Sequence, residues 1–147
     1  METIVKRFSE LTTTELYEIL KFRAEVFVVE QGCAYLDPDG VDKDAYHLYI
    51  EDNGEIVAYL RVADKGKYME EVSFSRVISK YRQKGLGTRL VLAGITVAEE
   101  KYSATKVIVG AKKHVVPFYE RVGFKSLENG EYIENGRPRV YMIREKE

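Results

Sequence analysis

The chain has a single cysteine, Cys33, so no disulfide can form within it, which fits a reducing compartment. It also lacks a charge of either sign: 23 Lys and Arg stand against 24 Asp and Glu, for a formal charge of −1. A general pull toward nucleic acid or an anionic membrane is thereby excluded, and any basic site must be local. No apolar run approaches the roughly 18 residues that span a bilayer. Met1 to Phe8 lacks the apolar core of a signal peptide. Internal repeats and low-complexity linkers are missing too. The expectation is a soluble, cytoplasmic protein with one domain over residues 1–147. Hydrophobic residues make up 45% and charged residues 32%, a balance that can bury one core and still dissolve.

Periodicity divides the chain into elements. Thr3 to Phe8 is predicted as a first strand. Thr12-Thr13-Thr14-Glu15 predicts a capping box, with a Thr hydroxyl taking an orphan amide and Glu15 reaching back. Leu16, Ile19, Leu20 and Phe27 come next at helical spacing and predict a helix to about Val28. Cys33 to Asp44 is rich in turn formers and reads as a loop. Tyr46 to Ile50 and Glu55 to Val62 flank Asp52-Asn53-Gly54 and predict a hairpin. Met69 to Ile78 predicts a further strand. Its alternation puts Glu71, Ser73, Ser75 and Val77 on one face and Glu70, Val72, Phe74, Arg76 and Ile78 on the other.

Leu86, Leu90, Gly94 and Val97 then step along one face of a helix that ends near Tyr102. Lys106 to Ala111 reads as a short buried strand, and "VPFYERVGF" as a short helix closed by Gly123. Phe124 to Tyr132 and Arg139 to Glu145 predict strands joined by a turn at Asn135-Gly136. The order β-α-β-β-β-α-β-α-β-β implies an α/β or α+β domain with a mixed sheet. Met69 to Ala111 is predicted to form its parallel, right-handed crossover.

The stretch "YRQKGLGTRL", Tyr81 to Leu90, crowds Arg82, Lys84, Arg89 and the preceding Lys80 around Gly85 and Gly87. It falls between a strand and a helix, where backbone amides converge at a positive helix end. The glycines let the backbone approach a ligand, and the cations add charge-assisted bonds. That chemistry suits a diphosphate. It is not a Walker loop, since G-x-x-x-x-G-K-[ST] has no match, nor a Rossmann fingerprint, since Leu90 stands where the third glycine belongs. Taken alone, the loop is equally well a surface turn with solvated charges.

Arg82-x-x-Gly85-x-Gly87 resembles the pyrophosphate motif [QR]-x-x-G-x-[GA] of the GCN5-related N-acetyltransferase (GNAT) superfamily. "PFYERVGF", Pro117 to Phe124, resembles the superfamily's F-Y-E-x-x-G-F block at a fitting distance. Phe22 to Asp42, Ser75 to Leu90 and Gly110 to Phe124 are similar to the ElaA-like branch, so the likeness covers nearly the whole chain. The resemblance implies an acyl-CoA N-acyltransferase fold: a mixed central sheet of about seven strands with flanking helices. It further implies acetyl-CoA as donor, a small-molecule or peptide amine as acceptor, direct transfer and no metal. Amides of Arg82, Gln83, Lys84, Gly85, Leu86, Gly87 and Thr88 would wrap the pyrophosphate. Ser75, Arg76 and Val77 would pair with the pantetheine arm, an amide near Val77 polarising the thioester carbonyl. Tyr119 would be the general acid, although most of the 11 tyrosines must be structural. Phe118 would pack in the core or near the cofactor. Lys112 stands where the superfamily often has an Asn on the pantetheine, so it meets a CoA phosphate or points to water. Arg139 stands where the branch has His, which implies a more acidic acceptor if that position touches it. C-terminal strands of the superfamily often mediate dimers, so a homodimer is possible.

The base stays open among Glu71, His114 and a water chain. Glu71 lies four residues before Ser75, as the catalytic glutamate does in histone-type members. His114 is a base candidate because an imidazole can take up a proton near neutral pH, but a histidine so placed more often caps a helix start. His47 lies on a predicted strand and reads as structural. Cys33 lacks the nearby His–Cys pattern of an acyl-enzyme. Arg23 and Glu30 fall on the apolar face of the first helix by spacing, with Glu25 and Gln31 close by. A charged pair there is a buried ion pair or an acceptor wall, and Arg76 is a candidate to join it. Two rival readings remain. One is a non-catalytic acyl-CoA sensor of the same fold. The other is an RNA-binding module, which the charge balance and the lack of an aromatic-rich basic face oppose. The acceptor is left among a polyamine, an amino sugar, an amino acid and a protein N-terminus.

Overall fold

A computed structural model of the chain describes residues 1–81 and 85–146. Strands β1 (Glu2–Arg7), β2 (Ala45–Asp52), β3 (Glu55–Ala63), β4 (Val72–Ser79), β5 (Lys106–Lys112), β6 (Lys125–Glu134) and β7 (Arg137–Glu145) form one mixed sheet in the order β1-β2-β3-β4-β5-β7-β6. Helices α1 (Thr13–Ala24), α2 (Leu86–Tyr102) and α3 (Val116–Arg121) complete the order expected from periodicity. Among the described residues, no helix is long and apolar enough to cross a membrane.

The capping box starts α1 as predicted. Thr12 Oγ1 accepts from the Glu15 amide at 3.1 Å, and Glu15 Oε1 accepts from the Thr12 amide at 2.8 Å. Lys6 donates to the same carboxylate at 2.5 Å; with the Thr12 amide it holds the Glu15 pKa down at about 2. The far end of the helix departs from expectation. After Ala24 the chain widens into a π turn, Glu25–Glu30. Such a turn takes roughly one extra residue, which rotates the residues beyond it by about 100°. Phe27 stays buried, but Glu30 is turned to solvent and does not share a core face with Arg23.

α2 lies on one side of the sheet. Leu86, Leu90, Val91 and Ile95 pack there against Leu48, Leu60, Phe74, Val107, Val109 and Met142. A Cβ added at Gly94 would sit 3.0 Å from Phe74 and 3.1 Å from Leu60, so glycine is what lets the helix lie this close. On the other side, Ile19, Phe22 and Phe27 pack on Tyr49, Tyr59 and Ile78.

β4 departs from strict alternation. Met69 to Glu71 lie outside it, and its register to β3 shifts: Ser75 faces Arg61, but Ile78 faces Tyr59. Arg76 and Val77 therefore oppose Leu60 alone, a β-bulge, with Arg76 at φ +57°. One extra residue inverts a period of two. Phe74 thus packs under α2 while Ile78 packs under α1, and they do not share the face that alternation assigns them.

Candidate functional site

β4 and β5 run parallel only briefly. Val72, Ser73 and Phe74 pair with Val107, Ile108 and Val109, and there the ladder stops. β5 continues beside β7 through Gly110, Ala111 and Lys112, while β4 continues beside β3 to Ser79. Between them the sheet opens into a gap. Along it, the inner edge of β4 from Ser75 onward has no strand partner among the described residues. A bare interior edge of this kind is a template for an extended ligand.

The wide end of the gap is closed by α2 and α3. Gly85 precedes α2 at φ +67°, and among the described residues no side chain caps the helix, so there its first amides keep their donors. At Gly87 a Cβ would lie 3.3 Å from the Phe118 ring and 3.9 Å from Ser79 Cβ, so the start of α2, the end of β4 and α3 converge. Ser79 Oγ is buried there without a hydrogen-bond partner among the described residues, as is Ser73 Oγ near the closed end. Uncapped amides, an approachable glycine and an orphaned hydroxyl fit a bound acyl-CoA. Arg82, Gln83 and Lys84, expected to hold its pyrophosphate, lie outside the described residues.

Tyr119 is buried in α3, edge-on to Phe118 at 5.0 Å and to Phe124 at 5.5 Å between ring centres. Burial pushes its phenol well above the ordinary value, and the charge of Arg139 opposes the rise. At neutral pH the group is a protonated donor. Arg139, on β7 opposite Lys112, donates through Nη1 to the Gly110 carbonyl at 3.3 Å. Its Nε lies 3.1 Å from Glu134 Oε2 but off the hydrogen-bonding direction, so that contact is one of charge only. Beside it, Tyr132 and Tyr141 stack at 4.1 Å, and a Cβ at Gly110 would collide with the Tyr132 hydroxyl. Arg137 donates to the Gln31 carbonyl at 2.9 Å, bringing the β6–β7 hairpin against the end of the first helix.

The loop before β2 brings in residues that sequence reasoning missed. Arg23, with no exposed surface, donates through Nε to Asp37 at 2.9 Å and through Nη1 to Asp42 at 2.7 Å. Arg61, equally buried on β3, binds Asp39 at 2.8 Å, Asp42 at 2.9 Å and Ser75 Oγ at 2.9 Å. Arg76 donates from the bulge to Asp37 at 2.8 Å and to Asp39 at 3.3 Å. His47 Nε2 lies 2.9 Å from the Asp42 carbonyl, which can only accept, so Nε2 carries the proton. Nδ1, 2.6 Å from the Tyr59 hydroxyl, then accepts.

The guanidinium and carboxylate charges cancel one another. Burial pushes Asp42 up, but Arg23 and Arg61 outweigh it and hold the carboxyl below its usual range. Burial also raises Asp39, and Arg61 and Arg76 more than offset it. His47 is lowered by burial, against the Asp42 carbonyl, and is neutral. The signal that could have found this cluster is Arg61, a cation inside the apolar run "EIVAYLRVA".

Arg23 therefore lies in a buried ion-pair network whose partners are Asp37 and Asp42, not Glu30. Arg76 joins it from the bulge. Glu71 is half-buried just before β4, on the approach to the closed end of the gap. His114 is exposed in the turn before α3, and it makes no helix cap. Cys33 is half-buried, 3.7 Å from the Gln31 carbonyl. Two open surface depressions lie elsewhere, one by Val5, Arg7 and Thr96, the other by Lys113, Pro117 and Asn129. Neither is lined by β4, whose unpaired inner edge marks the gap.

A family profile described as an Acetyltransferase (GNAT) domain matches residues 14–146. Protein ElaA of Escherichia coli is 36% identical over 141 residues, 93% of this chain and 92% of its own. Its crystal structure matches with a TM-score of 0.90, covering 98% of this chain and 99% of that one. An acyl-CoA N-acyltransferase from Pseudomonas aeruginosa is 36% identical, with a TM-score of 0.89 over 98% of this chain and 99% of its own. A sheet opened between β4 and β5 and a match over nearly the full length lead to one conclusion: the chain belongs to the GCN5-related N-acetyltransferase (GNAT) family and resembles its ElaA-like members.

Proposed function

We propose that this protein moves an acetyl group from acetyl-CoA to a primary amine by direct transfer. The observation that carries the reading is the gap between β4 and β5, with Phe118 of α3 and the start of α2 converging at its wide end. Acetyl-CoA supplies the activated acyl group. The amides from Gly85 to Thr88 suit its pyrophosphate, and Arg82, Gln83 and Lys84 add charge and donors by their chemistry. The free edge of β4 at Ser75 to Val77 pairs with its extended arm. The amide at Val77 takes up the negative charge that develops on the carbonyl oxygen. As the amine nitrogen bonds to the carbonyl carbon and the carbon–sulfur bond breaks, Tyr119 gives its proton to the leaving thiolate and later recovers one from solvent. The proton shed by the amine passes to Glu71, directly or through water. Arg139, half-buried at the rim, meets an acidic group of the acceptor.

The test mixes purified protein with acetyl-CoA and a panel of a polyamine, an amino sugar, an amino acid and a peptide. Free thiol is expected with at least one amine, and Tyr119→Phe is expected to lower kcat about 100-fold. Thermal stabilisation by acetyl-CoA with no thiol release from any amine would replace this reading with acyl-CoA binding alone. Undiminished turnover by Tyr119→Phe would remove Tyr119 as the acid.

A further inference from the structure

We infer that Arg76 is a positioning residue: it latches the loop Tyr35 to Asp42 to the β4 bulge and so holds the Val77 amide in line with the thioester carbonyl. The inference rests on the acetyl-transfer reading above.

The first observation is backbone strain. Arg76 is a non-glycine residue at φ +57° inside a strand. Such a conformation persists only where the surroundings over-determine it. Here the surroundings are specific. Arg76 Nε donates to Asp37 Oδ1 at 2.8 Å, and Nη2 donates to the Asp37 carbonyl at 3.1 Å and to Asp39 Oδ2 at 3.3 Å. The guanidinium lies 5.6 Å from the centre of the Tyr35 ring, whose hydroxyl donates to Asp37 at 3.1 Å.

The second observation is that these partners are themselves tied to buried groups. Asp37 is held from beneath by Arg23, and Asp39 by Arg61, both fully buried. A buried ion network stabilises a fold little more than apolar packing would; what it enforces is one geometry. The geometry enforced here is that of Arg76 and Val77, the bulged pair opposite Leu60, just where β4 parts from β5. Most of the affinity for acyl-CoA is supplied elsewhere, by the amides at the start of α2, and the β4 edge adds only the pairing with the extended arm. Loosening the latch should therefore cost turnover far more than binding.

Arg76→Ala and Arg76→Lys in the full chain test this. Acetyl-CoA dissociation constants by calorimetry are expected to stay within about threefold of the parent. kcat is expected to fall about 100-fold, the usual result of an ångström-scale misplacement. Arg76→Lys should recover little, because one ammonium cannot bridge both carboxylates in the plane of a guanidinium. Amide hydrogen exchange should rise together in residues 35–42 and 76–78. Retained kcat, or a loss of binding that matches the loss of kcat, overturns the assignment. If the parent turns over no amine, the exchange readout decides alone, and a rise confined to one segment overturns it. If Arg76→Ala does not fold, Asp39→Asn takes the same measurements, with the same coupled rise expected and the same outcomes fatal.

Discussion

Beneath α2 the sheet is dry: Leu48, Leu60, Phe74, Val109 and Met142 meet Leu90 and Val91 with no charge among them. Across the sheet, beneath α1 and the loop before β2, Arg23, Arg61 and His47 are just as deeply buried, bound to Asp37, Asp42 and Tyr59. The two sides are equally closed to water and unlike in how they specify structure. Apolar side chains of suitable volume can substitute for one another with small adjustments. A guanidinium among carboxylates allows one arrangement and tolerates no missing partner. The strand bulge and the open gap are joined to the charged side, where a fixed backbone direction matters more than cohesion.

The contrast breaks most severely at Arg23. Arg23→Met takes one of two guanidinium partners from each of Asp37 and Asp42 and leaves the buried network with an uncompensated negative charge, and the expected loss in urea-unfolding free energy is about 3–5 kcal/mol. An unchanged midpoint would make the charged side dispensable. Leu90→Ala is the matching change under α2, with an expected loss of about 2–5 kcal/mol in the same assay, set by how far the cavity relaxes. Unlike Arg23→Met, it should leave kcat close to the parent's in thiol-release assays, because the dry side does not hold the bulge.

Acid separates the two sides with the smallest effect. His47 is held below its ordinary value and is neutral in the fold. Its contribution is complete above about pH 6.5, the unfolded value, and is lost as pH falls from there through the folded value. Asp39 and Asp42 are also held low, so theirs is complete above about pH 4 and is lost as pH falls through their folded values. Stability should thus decline in two stages on acidification, at no more than about 1.4 kcal/mol per pH unit per group. His47→Gln should flatten the upper stage in urea titrations at pH 7, 6 and 5. An unaltered slope would assign that stage to another group.

The reach of local patterns obeys the same divide. Leu86, Leu90, Gly94 and Val97 step along a helix and all end buried, since periodicity and burial demand the same thing under α2. The capping box at Thr12 and the turn at Asn135-Gly136 need only neighbouring residues as well. Asp37, Asp39 and Asp42 look like turn formers, and locally they are: Asp39 accepts from the Val41 amide at 3.1 Å. Their ionic partners Arg23, Arg61 and Arg76 lie 14 to 39 residues away, beyond the reach of any spacing rule.

Composition, periodicity and the two motif blocks are enough for the elements, their order and the family, because each rests on contacts between near neighbours or on residue types at set spacings. The π turn that sends Glu30 to solvent and the bulge that brings Arg76 to the loop are another matter. Each inserts one residue into a regular repeat and displaces every face after it. At the bulge, the energy that holds the insertion comes from distant charges meeting in the folded interior. Those meetings exist only once the chain has folded.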